Sequence, residues 1–203
     1  MVDRMTERPL RRDAERNRQR LLETARELMA RDGLRVPYEE IARTAGSGMG
    51  TLYRRFPDRQ DLVDALFAEH VDAVVDLARQ ACRDDDPWDG LTWFMERQFE
   101  LEADNRALGE LLRGGQQENS RLAQGCARIA ELAAQLIERA VQVGQLPAGV
   151  TPGDLEAVHL MVGAVMDASR QHDPDRWRRA LAVALAGLRH ADLRPDGETI
   201  RPA

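Results

Sequence analysis

The chain has 203 residues, 43% of them hydrophobic, and a formal net charge of −6. This length and composition predict a folded protein whose core needs no disulfides, and they exclude pervasive disorder. The sequence has no apolar run of about 18 residues and no hydrophobic segment after its Arg-rich start, which excludes a membrane span and a secretory signal. Cys82 and Cys126 are far apart, without metal-ligand spacing, and this predicts a reducing, cytoplasmic setting.

The charge is unevenly distributed along the chain. The first 60 residues carry 14 arginines against 10 acidic residues, whereas residues 61–203 carry 15 arginines against 25 acidic residues. A positive N-terminal part on an acidic body is expected when one module contacts phosphate and the remainder does not. The distribution therefore favours a nucleic-acid-binding module in the first third.

Two predicted elements precede the central motif. Met1 to Arg12 is rich in arginine and predicts a mobile arm, which either contacts the minor groove or phosphate or remains a solvated tail. From Asp13 to Arg31 the apolar residues recur at helical spacing, and Gly33 is a typical residue for ending that helix. Pro37 then predicts the start of a second helix, with acidic residues in its first turn.

Residues 39–56 read EEIARTAGSGMGTLYRRF and form the motif around which the chain is organised. Ile41 and Ala45 are four residues apart and predict one apolar helical face. Gly46 and Gly48 then predict a break, and Leu52 and Phe56 share one face of a further short helix. Two short helices joined by a tight glycine turn are typical of a helix-turn-helix, whose second helix usually enters the major groove of DNA.

These residues carry a family resemblance over roughly Leu21 to Phe67. Ile41-Ala42, Ala45-Gly46, Gly50-Thr51-Leu52-Tyr53 and Phe56-Pro57, with Arg59 before Leu62, resemble the DNA-binding signature of the TetR family of bacterial repressors. The resemblance implies an all-α protein. We predict about nine helices, with an arm and helix-turn-helix domain in residues 1–60, a regulatory and dimerisation domain in 61–190, and a flexible tail in 191–203.

The resemblance also implies which residues contact DNA: Ser47, Gly48, Met49, Gly50, Thr51, Tyr53, Arg54, Arg55 and Arg59. Tyr53 is either a core aromatic or, as the resemblance implies, a hydroxyl directed at phosphate. Gly50 would let the DNA backbone approach closely, and Arg59 would contact phosphate. The family usually has an apolar residue where this chain has Ser47, so that a hydrophobic plug is missing there or is replaced by a hydroxyl cap.

The remainder of the chain predicts long helices. Asp61 to about Arg83 predicts a helix that links the DNA-binding module to the body, and Asp84-Asp85-Asp86 predicts a linker and helix N-cap rather than a metal site. Thr151 to Asp154 predicts another capped helix start. The last two long helices carry apolar residues on more than one side, and the resemblance implies that they form a two-fold homodimer interface.

The body also contains candidates for an effector site, which the resemblance implies in this region: Trp93, Phe94, Phe99, His159, Met161 and Met166. The alternative is that these residues fill an ordinary helical core. Glu156 and His159 form only half of a paired di-iron motif. We therefore expect no enzyme activity, metal or cofactor.

We predict a TetR-like repressor that a small molecule releases from a palindromic operator. The alternative is a ligand-independent or architectural helical DNA-binding protein.

Overall fold

A computed structural model describes residues 7–114 and 120–190. Over these ranges the chain forms nine α-helices and no strand, which confirms the all-α prediction. The helices are α1 Glu7–Asp32, α2 Tyr38–Thr44, α3 Met49–Arg55, α4 Arg59–Ala81, α5 Pro87–Asp104, α6 Arg106–Leu112, α7 Arg121–Gln142, α8 Pro152–Ser169 and α9 Arg176–His190. None of these described helices combines the length and the hydropathy that a transmembrane helix requires.

The first helix begins earlier than the sequence predicts. Residues 7–12 of the predicted mobile arm belong to α1, so the arm prediction is wrong for these residues, and residues 1–6 lie outside the described part. Pro9 is compatible with this start because the N–H groups of a first helical turn have no intrahelical partner. The predicted tail, residues 191–203, also lies outside the described residues.

The described residues divide into two compact units. One comprises those of Met1–Glu69 and Asn105–Ala123, and the other those of His70–Asp104 and Gln124–Ala203. The short helix α6 therefore groups with the helix-turn-helix, because it packs against α1, and its residues Ala107, Leu108 and Leu111 are buried. The sequence-based boundary after residue 60 assigned α6 to the body, and it did not anticipate this packing.

The first unit has a continuous apolar core beneath the helix-turn-helix. Leu21 and Met29 of α1, Ile41 of α2 and Leu52 of α3 are fully buried, as is Leu62 at the start of α4. Burying one such side chain contributes roughly 1.5–3 kcal/mol. The short helices α2 and α3, of seven residues each, are too short to be stable alone and depend on this packing.

The second unit contains α5, α7, α8 and α9 with the later part of α4, and its most extensive helix pair is α8 with α9. Asp86 caps α5, because its Oδ1 accepts hydrogen bonds from the backbone N–H groups of Trp88 and Asp89, both at 3.0 Å. These bonds lower the pKa of Asp86 and confirm the N-cap prediction for the acidic run. The predicted start of α8 is also confirmed, since the Asp154 carboxylate accepts from the Thr151 N–H at 2.8 Å.

Candidate nucleic-acid interface

The turn between α2 and α3 has a defined hydrogen-bond pattern. Gly46 has φ +62°, and its N–H donates to Arg43 O at 3.2 Å, while the Ser47 N–H donates to Ala42 O at 2.9 Å. These two bonds form a Schellman motif, in which a residue of left-handed conformation ends a helix. Gly46 is the residue that suits this conformation, since a Cβ is disfavoured there. The glycine break in the sequence is therefore confirmed, and it directs the chain into α3.

Helix α3 is attached to the core by one side. Leu52 is its only buried residue, and Gly48, Gly50, Tyr53, Arg54 and Arg55 are exposed. An additional Cβ at Gly50 would meet no atom of the described residues within 4 Å. The outer face of α3 therefore presents a glycine, a tyrosine and two arginines to solvent, which suits contact with a polyanionic surface.

Tyr53 is not a core aromatic, because it is 50% exposed. Its ring lies 5.3 Å from the ring of Tyr38, at an interplanar angle of 56°. Tyr38 is the buried member of this pair, and its hydroxyl donates to Asp58 O at 3.2 Å; burial raises its pKa. The ring of Tyr53 thus contacts the buried ring of Tyr38, while half of the Tyr53 surface remains exposed.

Arg59 makes its described contacts within the first unit. Its Nη2 donates to the carbonyl oxygens of Leu34 and Val36, the latter at 2.7 Å, and its guanidinium lies 5.7 Å from the centre of the Tyr38 ring. The side chain therefore connects the start of α4 to the loop between α1 and α2. Sequence reasoning missed this contact because the loop carbonyls carry no side-chain pattern.

The same loop is held from a second side by Glu110 of α6. The Oε2 of Glu110 accepts from the Leu34 N–H at 2.8 Å, and its Oε1 accepts from Arg106 Nε at 3.1 Å. Gly33 has φ +89°, and a Cβ there would lie 2.3 Å from Glu110 Oε1. Gly33 therefore provides both the turn conformation and the space for this carboxylate.

Ser47 does not cap α3. The N-cap residue is Gly48, without a side-chain cap bond, and the Ser47 hydroxyl instead accepts from Asn17 Nδ2 of α1 at 3.4 Å. The polar residue at the usually apolar turn position is thus matched by a polar residue on the neighbouring helix. Asn17 was not identified from the sequence, because nothing local distinguishes it from other polar residues of α1.

The predicted effector residues do not form one cluster. Phe94 and Phe99 of α5 and Met166 of α8 are buried, and Trp93 is half-buried. Met161 is 56% exposed on the outer side of α8. The structure therefore brings Phe99 next to His159, with ring centres 5.3 Å apart, but Met161 lies apart from them.

His159 is part of a buried polar cluster in the second unit. Its Nε2 lies 2.7 Å from Oε1 of Glu102, which is fully buried, and 3.1 Å from Nε2 of Gln98. Gln98 Nε2 also donates to Glu102 Oε1 at 3.0 Å. This arrangement favours an internal hydrogen bond, rather than contact with an effector, as the main role of His159. Nothing in the local sequence distinguishes Glu102 and Gln98 from the other polar residues of α5.

The outer face of α8 and α9 is apolar. Leu160, Met161 and Val183 are 47%, 56% and 58% exposed, and they are accompanied by small residues. The exposed small residues of this face are Ala157, Ala164, Ala168, Ala182, Ala186 and Gly187. Exposed apolar faces of this kind are typical of protein interfaces.

Comparison with known proteins gives two family-model matches. The model described as "Transcriptional regulator SbtR-like, C-terminal domain" matches residues 86–190, and that described as "Bacterial regulatory proteins, tetR family" matches residues 21–66. A curated HTH-type transcriptional regulator of Staphylococcus aureus strain USA300 is 31% identical over 109 residues, which are 52% of this chain. The match spans 58% of the length of that relative.

Solved structures match over most of the chain. A TetR transcription regulatory protein from Mycobacterium vanbaalenii is 33% identical, with a TM-score of 0.50, and the match covers 89% of this chain and 99% of that one. The regulator FadR from Bacillus subtilis, solved in complex with stearoyl-CoA, is 17% identical, with a TM-score of 0.60 and coverage of 85% and 97%. The latter similarity concerns the fold alone.

Proposed function

The chain belongs to the TetR family of DNA-binding transcriptional regulators, and we propose that it is a repressor which a small-molecule effector releases from a palindromic operator. One observation carries the DNA-binding part of the proposal. Helix α3 is attached to its unit through Leu52, while Gly50, Tyr53, Arg54 and Arg55 are exposed on its outer side. The outer side of this helix can therefore enter the major groove while Leu52 stays packed in the core of the unit.

The residues of α3 other than the buried Leu52 have separate proposed roles. Met49, Gly50 and Thr51 lie in its first turn, where a recognition helix contacts base edges, and Arg55 can bind guanine O6 and N7 in a bidentate manner. The Tyr53 hydroxyl is assigned to phosphate. Arg54 Nη2 lies 3.4 Å from Thr51 Oγ1 and is assigned to the adjacent backbone. Ser47 and Gly48 precede the helix and would lie next to the same phosphates.

Arg59 acts indirectly in this proposal. Its bonds to Leu34 O and Val36 O hold the loop before α2, and Glu110 holds the same loop through the Leu34 N–H. A loop held on both sides keeps α2 and α3 oriented against the core. Arg59 is therefore a positioning residue, and a phosphate contact is not required of it.

We assign dimerisation to the outer face of α8 and α9. The apolar residues Leu160, Met161 and Val183 would be buried against the same residues of a second copy, which is the self-complementary geometry of a two-fold interface. A two-fold dimer presents two copies of α3, and such an arrangement reads a palindrome with half-sites about one helical turn apart. Met161 thus has a proposed role in the interface rather than in effector binding.

Effector binding is assigned to the second unit. A regulator of similar fold, FadR of Bacillus subtilis, was solved in complex with stearoyl-CoA. Binding would favour a spacing of the two α3 helices that does not match successive major grooves, and DNA affinity would fall by the coupling free energy. The family consists of transcriptional regulators, and we expect no catalytic activity.

The proposal is tested by selecting tight-binding duplexes from a random DNA pool with the purified protein. Fluorescence anisotropy of the selected duplexes is then measured at two salt concentrations. We expect a palindromic consensus and a steep salt dependence, because arginine contacts to phosphate release counterions. Binding that is equally tight to random duplexes would instead support the alternative of an architectural DNA-binding protein.

A variant pair tests the assignment of the Tyr53 hydroxyl. Tyr53→Phe removes the hydroxyl and keeps the ring that packs against Tyr38, so the fold is retained. We expect weaker operator binding with an unchanged unfolding temperature. The control is Tyr38→Phe, which removes the hydrogen bond to Asp58 O and lowers stability. Unchanged DNA affinity of Tyr53→Phe would contradict the phosphate role.

A further inference from the structure

Helix α3 contains no amide side chain and no carboxylate side chain. Its hydrogen-bonding side chains are two arginines, a tyrosine and a threonine, and its first residue is a methionine. Leu52 is the one residue of this helix that is buried, so the other side chains are at least partly accessible. The four bases differ in the donors, acceptors and methyl groups that they present in the major groove. The side chains of α3 therefore limit which bases this helix can recognise.

The oxygen acceptors next to this surface already accept hydrogen bonds within the first unit. The Thr51 hydroxyl accepts from Arg54 Nη2 at 3.4 Å, and the Ser47 hydroxyl accepts from an amide of α1 at the same distance. The Asp58 carboxylate, the first one after the helix, accepts from the Gln60 N–H at 2.9 Å. Adenine and cytosine each present an amino group in the major groove, which needs an acceptor. Helix α3 offers neither a carboxylate nor an amide oxygen to these amino groups.

The arginines of α3 provide donors instead. A guanidinium has N–H donors in a fixed fork and no acceptor, and this fork fits O6 and N7 of guanine. Adenine presents N7 next to its own amino group, so that a guanidinium would face a second donor there. Arg54 is held against Thr51 of its own helix, whereas Arg55 is exposed at the end of α3. Arg55 is therefore the arginine that we assign to guanine.

Met49 provides an apolar group at the other end of the helix. It is the first residue of α3 and is half-buried, and the first residues of a recognition helix contact base edges. A thioether has no N–H or O–H donor and is only a weak acceptor, so it binds mainly through apolar contact. The apolar group that a base presents in the major groove is the C5 methyl group of thymine. The base that suits Met49 is therefore thymine.

We propose that α3 reads guanine through Arg55 and thymine through Met49, and that it forms no hydrogen bond to the amino group of adenine or cytosine. This base preference rests on the proposed function, since it presupposes that α3 enters the major groove. Each half-site of the operator then contains a guanine that is recognised by O6 and N7 and a thymine that is recognised by its methyl group.

The test uses the full-length protein and the palindromic duplex that it selects from the random pool. Guanines are replaced one at a time by 7-deazaguanine, which lacks the N7 acceptor, and thymines by uracil, which lacks the methyl group. We expect 7-deazaguanine at the contacted position to weaken binding at least about fivefold. Uracil should weaken it about fourfold, as for the loss of one buried methyl group. In the control, 7-deazaadenine changes the same ring atom of adenine and should alter affinity less than about twofold.

Three variants assign these losses to side chains. In Arg55→Ala, 7-deazaguanine should bind as tightly as guanine, whereas the matched control Arg54→Ala should retain the difference. Met49→Gln has a side chain of similar length and supplies the amide that α3 lacks. A new selection with this variant should replace the thymine by adenine, the base that an amide contacts in a bidentate manner. Thermal unfolding of each variant establishes that the fold is retained.

The base preference is overturned if every 7-deazaguanine duplex or every uracil duplex binds as tightly as the parent duplex. It is also overturned if 7-deazaadenine weakens binding as much as 7-deazaguanine does, or if Arg54→Ala rather than Arg55→Ala removes the guanine effect. In each of these cases a palindromic, salt-sensitive consensus still supports the proposed function. A pool that gives no consensus contradicts the proposed function, and the base preference with it.

Discussion

Replacing Gly50 by alanine should separate DNA binding from folding. Gly50 is the second residue of α3 and is exposed, its φ is not positive, and a Cβ there would meet no atom within 4 Å among the described residues. The fold therefore gives no reason for a glycine at this position. The proposed reason is the close approach of DNA to the backbone of the reading helix.

The two effects have opposite signs. Alanine is favoured over glycine in a helix by about 0.5–1 kcal/mol, so Gly50→Ala should raise the unfolding temperature by about 1–4 °C. The added methyl group should displace α3 from the groove and weaken a base or phosphate contact by about 1–3 kcal/mol, which corresponds to about 5- to 150-fold in affinity. Thermal unfolding and fluorescence anisotropy with the selected duplex measure the two quantities on one sample.

Gly153 provides the matched control, because it is also exposed and is also the second residue of its helix, α8. Gly153→Ala should give a similar gain in stability and leave operator affinity unchanged. The reasoning would be refuted if Gly50→Ala bound the operator as tightly as the unmodified protein, or if Gly153→Ala weakened binding to the same extent.

Three further predictions follow from the packing of individual residues. Arg59→Met removes the bonds to Leu34 O and Val36 O and should lower stability by about 1–3 kcal/mol in urea unfolding; the salt slope of DNA binding should not change, whereas a lost phosphate contact would reduce it. His159→Ala removes a hydrogen-bond partner of the buried Glu102 carboxylate and should lower stability by about 1–3 kcal/mol in the same assay, and a loss below the assay error would contradict this hydrogen bond. Burial raises the pKa of Cys126 to about 11, so in a Cys82→Ser background iodoacetamide should react slowly at pH 8 and faster as pH rises; rapid labelling at pH 8 would contradict this.

The sequence predicted the elements whose determinants are local. Gly46 ends α2 through its positive φ, Asp86 caps α5 and Thr151 starts α8 with Asp154, and each depends on residues within a few positions of one another. The buried side of α3 could also be predicted from the sequence, because helical periodicity places Leu52 on that side.

The contacts that sequence reasoning missed join residues far apart in the chain. Glu110 accepts from the Leu34 N–H across 76 positions, and His159 reaches Glu102 across 57. A backbone N–H can pair with any acceptor, and a glutamate on a helix most often faces solvent. The sequence around Leu34, Glu110 or Glu102 therefore does not reveal which residue each of them contacts. The grouping of α6 with the DNA-binding unit escaped prediction for the same reason.

The central claim is that two copies of α3 in a dimer read two half-sites of one operator. It is tested most directly by measuring affinity for the selected palindrome and for the same duplex with about 5 base pairs, half a helical turn, inserted between its half-sites. We predict two chains per palindrome, and affinity for the spaced duplex close to that for random DNA. Equal affinity for both duplexes, or one chain per palindrome, would contradict the account.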